Sequence, residues 1–234
     1  MKIGILGTDI FAQGKASLVD ERVKALKTMF NSAKEVYIQV EIIVDQEKLS
    51  EADGIIAPEG SKLDLVVHDL EFVETRLSRT ADAVEKGLLT KFKEQLDKEG
   101  LLCDLTVSEE EKALISGYSL WSIRPVYLAK EEEIQDKNKL LFNAYTGFGY
   151  SSFFTAGDKD SHAWSIKKGA TAWEAAGAIH SDIQKGFIRA EVTGYQELAA
   201  DGSLSKARAN NHVRLEMKEY VVQDGDYLVI RTNK

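Results

Sequence analysis

The strongest constraint on this chain's fold is a Thr171-x-x-Glu174 capping pattern between strand-like runs, with an Asp224-Gly225 pair farther on. Phe153, Phe154 and Ala156 precede Gly157, and Ala163–Ile166 alternates in strand fashion, so Gly157–Ser161 reads as a hairpin turn. A helix capped by Thr171 and Glu174 runs through Trp173–Ile179, and Gly186 ends that segment. Phe187–Val192 is again a strand. Tyr220–Val222 and Tyr227–Ile230 flank Gln223-Asp224-Gly225-Asp226, and Asp-Gly between strands predicts a closing hairpin. The order β-β-α-β plus a hairpin is that of a β-grasp, placed here at residues 147–234.

The preceding part, residues 1–146, has a different texture. Met1–Gly7, Val36–Val44 and Gly54–Ala57 read as strands, Asp20–Phe30 as a helix, and Arg124–Ala129 as a returning strand. Strand, helix, strand and strand suggest a small α/β layer. Leu63, Val66, Val67, Leu70, Val73 and Leu77 form one helical stripe. Leu88, Leu89, Phe92 and Leu96 form a second, with Gly87 before it and Gly100 as its C-cap. Together they predict a helical hairpin within about residues 61–117. Ser108 followed by Glu109–Glu111 opens another helix.

Charge and cysteine usage narrow the function classes. The 234 residues carry a net charge of −8. Residues 147–234 hold 11 Lys+Arg and 11 Asp+Glu, so the excess of acid lies in residues 1–146. An acidic first part is a poor phosphate-backbone binder, which directs any nucleic-acid contact to the C-terminal part. The single Cys103 excludes an intramolecular disulfide and reads as a bland thiol. No apolar run approaches the roughly 20 residues needed to span a bilayer, and a cytoplasmic protein without membrane attachment is expected. No H-E-x-x-H, C-x-x-C or G-x-S-x-G occurs. The histidines, His68, His162, His180 and His212, form no catalytic spacing. The runs Glu109–Glu111 and Glu131–Glu133 read as a helix start and a solvated loop, and no metal site, cofactor or catalytic residue is expected.

Two stretches carry a family resemblance. Phe153–Val192, with its FTAG turn, AW strand, IH followed by D, and KGFIRAEV, resembles the C-terminal domain of the YchF-type (Obg-like) ATPases. So does Tyr220–Asn233 with its VQDGD. The resemblance implies a TGS-like domain, a small fold associated with ribosome or RNA contact. More weakly, Leu18–Leu26 resembles the family's segment after its first helix and switch region. Leu63–Arg79 resembles the start of its helical insert, and Ser119–Glu133 its strand carrying the nucleotide-base motif. The family's nucleotide-binding domain is much longer; this chain keeps scaffold strands and drops loops between them.

Measured against the phosphate-loop pattern G-x-x-x-x-G-K-[ST], Gly7 is followed by six residues before Gly14-Lys15-Ala16-Ser17, two too many. Ala16 stands where a metal-binding hydroxyl belongs, and no helix follows directly to lend the loop its anion affinity. The D-x-x-G motif falls at Asp45-Gln46-Glu47-Lys48, with Lys48 in place of glycine. The family's base-recognition asparagine aligns with Lys130, while Glu133 still matches that motif's acid. Gly7, Gly14, Lys15, Asp45 and Glu133 are therefore vestigial nucleotide-site residues. The resulting expectation is a non-catalytic YchF-like protein, an α/β reduced G-domain-like layer with a helical hairpin followed by an α+β TGS-like β-grasp domain. Its candidate partners are the ribosome or RNA through Lys167, Lys168, Lys185 and Arg189, a protein partner, or a second copy of the chain. The alternative is an NTP-binding ATPase or GTPase using a remodelled loop at Gly7–Ser17.

Overall fold

The β-branched run at 36–44 does not make one strand. In the computed structural model, which describes residues 1–233, it breaks at Tyr37, and the two pieces join different sheets. Buried Ile38, Val40 and Ile42 alternate with exposed Gln39 and Glu41 only after that point; upstream, Lys34 and Glu35 have the charge typical of a sheet edge. In chain order the elements are β1 (Lys2–Ile5), β2 (Gly14–Leu18), α1 (Glu21–Phe30), β3 (Lys34–Val36), β4 (Ile38–Ile43), β5 (Gly54–Pro58), α2 (Lys62–Leu77), α3 (Ala83–Leu96), α4 (Glu109–Leu114), β6 (Val126–Ala129), α5 (Glu131–Ile134), α6 (Lys137–Gly147), β7 (Tyr150–Ala156), β8 (Asp160–Lys167), α7 (Ala172–Ile179), α8 (Ser181–Lys185), β9 (Phe187–Gly194), α9 (Tyr195–Asp201), α10 (Leu204–Ala209), β10 (Arg214–Glu216) and β11 (Asp226–Thr232). They fall into two compact units. The first is Met1–Ala16 with Val40–Phe148; the second is Ser17–Gln39 with the chain from Gly149 onward. Lys234, the last residue of the C-terminal domain expected from sequence, lies outside the described residues.

The first unit is built on a sheet of order β2-β4-β1-β5-β6, in which β4, β1, β5 and β6 run parallel. The neighbouring strands β1 and β5 are buried nearly throughout, as in a sheet covered on both faces, whereas β4 alternates. The helical hairpin forms as α2 and α3, although α3 begins at Ala83 and takes Gly87 into its interior. The left-handed residue after it is Glu99, not Gly100. The stripe on α2 is rotated from the one expected. Leu65, Val66, Asp69 and Val73 face the core, while Leu63 and Val67 stay half exposed. Asp69 belongs inside because the polypeptide satisfies it. It accepts the N–H groups of Trp121 and Ser122, both at 2.7 Å, and the Ser122 hydroxyl at 2.6 Å. At the far end of the hairpin, Glu85 accepts from Arg76 at 2.5 Å and from the hydroxyls of Thr80 and Tyr118.

The second unit is a six-stranded sheet of order β10-β9-β11-β7-β8-β3. The β7–β8 hairpin and the Thr171–Glu174 capping box form as the sequence predicts. The closing hairpin does not. β10 and β11 both pair with β9 and not with each other, and Tyr220–Val222 makes only an isolated bridge from Val221 to Thr171. The Asp-Gly turn instead redirects the chain so that β11 enters between β9 and β7. Asp226 anchors the turn by accepting Gln223 N–H and the Tyr220 hydroxyl. One face of the sheet packs on α7 through Phe153, Ile166, Ala190, Val192 and Leu228. Trp164 joins that core, but Trp173 at the start of α7 is 46% exposed rather than packed. On the other face, Phe30 of α1 stacks on Tyr227 at 5.1 Å, and Arg22 lies over the Phe154 ring at 4.9 Å. β3 adds an edge strand parallel to β8. Residues 17–39 thus supply a helix and a strand to the sheet formed by the C-terminal segment.

Arg22 fastens that helix. Its Nη1 donates to Asp224 at 2.7 Å, while Nε and Nη2 donate to Asp20, the N-cap of α1. Asp224 also accepts Ser152 N–H at 2.9 Å. Gly225 has φ of +89°, a conformation that favours glycine, and a Cβ there would press on Arg22 Nη1 at 3.0 Å. Arg22→Ala should lower the unfolding free energy of the second unit by about 2–4 kcal/mol, because it strands a buried Asp20; denaturant titration followed by Trp fluorescence reads this. The Glu85 carboxyl is held down to about 2, first by Arg76 and then by Thr80 and Tyr118. Its contribution is therefore present above the unfolded carboxyl range near pH 4.5 and is lost as pH falls toward 2. Melting temperatures between pH 5 and pH 2 should fall less steeply in Glu85→Gln than in the wild type.

Candidate functional site

Parallel strands present their C-terminal ends on one edge, and in open α/β sheets ligands bind there. Of the five residues singled out from the nucleotide motifs, the first unit gathers three on that edge: Gly7 after β1, Asp45 after β4 and Glu133 after β6. The loop from Gly7 is short and self-contained. Gly7 has φ of +71°, and a Cβ on it would sit 2.3 Å from Ser61 Oγ, so the chain's own hydroxyl already fills the space beside it. Farther along, Gln13 Oε1 accepts the N–H of Val44 at 2.9 Å. Gly14 and Lys15 then enter β2, where Lys15 is an exposed strand residue. The amide-rich helix N-terminus that follows β1 in a phosphate loop is replaced here by a strand.

Asp45 and Glu133 are both engaged at helix starts, Asp45 as the cap of a short 3-10 helix, Gln46–Glu51, and Glu133 in the first turn of α5. Asp45 accepts Glu47 N–H at 3.1 Å and pairs with Lys48 at 3.5 Å. Glu133 closes the one-turn α5 by accepting Lys130 N–H at 3.1 Å, and takes further bonds from the Tyr127 hydroxyl at 2.7 Å and Asn143 at 3.1 Å. The Tyr127 hydroxyl, followed by the Lys130 amide, holds its carboxyl below the usual range. Burial, then Glu133 itself, pushes Tyr127 up. These residues line an open depression with Lys139, a residue that sequence reasoning passed over along with Tyr127, Asn143 and the whole of α6. Lys15 lies on β2 and Glu133 in α5, which follows β6; these two outermost strands of the sheet are four intervals or about 19 Å apart at ~4.8 Å per strand.

The four basic candidates of the second unit separate into two pairs. Lys167 ends β8 opposite Tyr150, and Lys168 N–H bonds Gly149 O beside it. Arg189 sits opposite Arg231 on β11, and Gly186, the neighbour of Lys185, accepts from Asn233 at that same end. Because Tyr227 pairs with Phe154, the two rows are eight residues apart along the strands, or about 26 Å at ~3.3 Å per residue. Arg189 does have cationic company that the sequence left scattered. Glu191, two residues on and on the same face, accepts from Arg208 Nη2 at 2.7 Å and from Arg231 Nε and Nη2 at 3.0 and 2.7 Å. Arg231 closes a strand in the sequence with nothing to single it out; only the register discloses its neighbour.

Other side chains hold structural posts. Cys103 is half-buried, and burial pushes its thiol up, in keeping with an unreactive group. His68 bonds Asp69 at 3.0 Å and stacks on Trp121 at 3.5 Å. Among the described residues no group of three His, Cys, Asp or Glu is placed to hold a metal ion, and no helix is long and apolar enough to cross a membrane.

Comparison with known proteins agrees with this architecture. Residues 150–233 match the YchF-GTPase C-terminal family, described as a protein of unknown function. A Bacillus subtilis protein named ribosome-binding ATPase YchF is 30% identical over 256 residues, covering 80% of this chain and 70% of the relative. Its Mycoplasma genitalium namesake is 43% identical over 96 residues, 41% of this chain and 26% of the relative. Obg-like ATPase 1 of Danio rerio is 38% identical over 95 residues, 41% of this chain and 24% of the relative. The solved structure of a Schizosaccharomyces pombe YchF GTPase superposes with a TM-score of 0.76 at 18% identity, covering 99% of this chain and 97% of that one, a likeness of fold. With identity to the Bacillus subtilis protein extending over both units' sequence, this chain belongs to the YchF family.

Proposed function

We propose that this chain is a ribosome-contacting YchF protein that does not hydrolyse nucleotide. The Bacillus subtilis and Mycoplasma genitalium relatives are named ribosome-binding ATPases; the reading carries over the first half of that name and not the second. Its main support is the connection from β1 to β2. Phosphoryl transfer is catalysed almost entirely by positioning and charge neutralisation, through loop amides, a lysine and a hydroxyl-held Mg²⁺. Here Lys15 lies on an edge strand, Ala16 offers no hydroxyl, and Lys48 occupies the glycine position of the second motif. The acidic balance of residues 1–146 fits a scaffold better than a triphosphate site. Ribosome contact places the protein in the cytoplasm. In this reading residues 1–146 are a degenerate G-domain-like scaffold, and residues 147–234 a TGS-like β-grasp carrying the contact.

The second reading, an NTP-binding protein with a remodelled loop at Gly7–Ser17, has one observation in its favour: Gly7, Asp45 and Glu133 share one edge of the sheet. Equilibrium titration of the full chain with ATP and GTP plus Mg²⁺ separates the two. The proposal expects no saturable binding, with phosphate release at background and unchanged in Lys15→Ala. Steady release that disappears in Lys15→Ala establishes the second reading.

A further inference from the structure

We infer that the contact surface of the second unit is the arginine trio Arg189, Arg208 and Arg231 gathered around Glu191, and that its ligand is the phosphate backbone of RNA. The inference rests on the ribosome reading and names the chemistry through which it works. The three arginines are far apart in sequence, on β9, α10 and β11, and converge on one sheet face. Arg189 and Arg231 are directly opposed across an antiparallel pair, which sets their Cα atoms about 5 Å apart. Arg208 reaches the same place from α10 through Glu191.

The charge count of this cluster is three cations to one carboxylate. A purely structural ion pair accounts for Arg208 and Arg231, which Glu191 holds at 2.7 Å each. It does not account for Arg189, which is exposed and has no acidic partner within 4.0 Å among the described residues. The geometry of the paired arginines also leaves them able to bind. A guanidinium has five N–H donors. Arg231 spends those of Nε and Nη2 on Glu191, and Arg208 spends Nη2, so Arg231 Nη1 and Arg208 Nε and Nη1 are not used by Glu191, on side chains that are 50% and 48% exposed. The Glu191 side chain is only 14% exposed and acts as a clamp. Arg208 first, and Arg231 after it, hold its carboxyl below the usual range against the opposing effect of burial. Two guanidiniums fixed in advance lose less side-chain freedom on meeting a ligand than free ones. Their planar forks match phosphate oxygens bidentately, which a lysine ammonium cannot do. Leu215, opposite Glu191 in the register and 59% exposed, adds an apolar neighbour on the same face.

The test uses the full chain, purified ribosomes in co-sedimentation, and protein-free ribosomal RNA in a filter-binding salt series. Three variants are compared with wild type: Arg189→Gln; Arg189→Gln with Arg208→Lys and Arg231→Lys, which keeps cations beside Glu191 but removes the forks; and Lys167→Gln with Lys168→Gln at the other end of the sheet. Arg189→Gln removes no internal bond and keeps the test open should the triple variant melt early. The expected result is a salt slope shallower by about 0.7 in Arg189→Gln. RNA affinity should fall about tenfold or more in the triple variant, as for one lost charge-assisted bond, and the lysine variant should be unchanged. Arginine variants that bind ribosomes and RNA like the wild type overturn the inference and leave the ribosome reading standing. Ribosome binding without RNA binding also overturns it and points to a ribosomal protein. A wild type that binds neither removes the ribosome reading along with it.

Discussion

Arg22 donates to Asp20 through Nε and Nη2 and to Asp224 through Nη1, with its guanidinium over the ring of Phe154. Through these bonds a helix from the N-terminal third of the chain closes one face of a sheet from the C-terminal third. Val23 and Leu26 of α1 are fully buried, and Phe30 stacks on Tyr227. Remove the helix and Phe154 and Tyr227 lose their cover, at ~1.5–3 kcal/mol for each large side chain exposed. The second unit is therefore not assembled from consecutive sequence alone. The conjunction of Val19-Asp-Glu-Arg22 with the Gln223-Asp-Gly-Asp226 turn has a physical reason: the two strings are partners in one salt-bridged cap.

The sheet of the first unit holds together while the loops at its edge depart from the nucleotide pattern, and these two facts are compatible. A parallel sheet is held by its ladder and by side chains buried on both faces, here Ile3, Ile42, Ile55 and Ile56, none more than slightly exposed. Phosphate chemistry sits in the connections, which carry little of that burial. Between β1 and β2 only Leu6–Gln13 intervenes, and this connection is tied down by Gln13 on Val44 and by the fit of Gly7 against Ser61. Asp45 and Glu133 are likewise engaged at the starts of short helices. Local bonds thus account for both residues without a nucleotide.

What the sequence made legible follows from the range of the interactions involved. Capping boxes at Ser108 and Thr171, the β7–β8 hairpin and the two hairpin helices are set by residues within a few positions of one another, and all were readable. The break at Tyr37 was not, because which sheet a strand joins is a tertiary decision and both pieces carry β-branched residues. The same holds for β11. An Asp-Gly turn between apolar runs favours a hairpin locally, yet Tyr227–Ile230 has stronger partners in β9 and β7. The α2 stripe turned because Asp69 found three donors near Trp121, a gain invisible from helical periodicity. Lys167, Lys168, Lys185 and Arg189 look alike in sequence, and only strand register reveals that they stand at two ends of one sheet.

That separation decides how the electrostatics of the second unit should be treated. At physiological ionic strength the Debye length is about 8 Å, well short of the ~26 Å between the Lys167 and Arg189 rows along the strands. The two pairs therefore act as independent local fields, and a contact at one end gains little from the other. By the same measure a net charge of −8 governs solubility and approach more than it governs a short-range contact. What a phosphate meets at close range is the local sum, and around Glu191 that sum is positive by two. Neutral overall composition in the C-terminal part is thus no argument against an anion surface, because its acids are spent elsewhere: Asp226 on a turn, Asp201 on His212 and Asn210, Glu174 on a cap. Internal duties consume most of the carboxylates, and the arginines around Glu191 keep donors to spare.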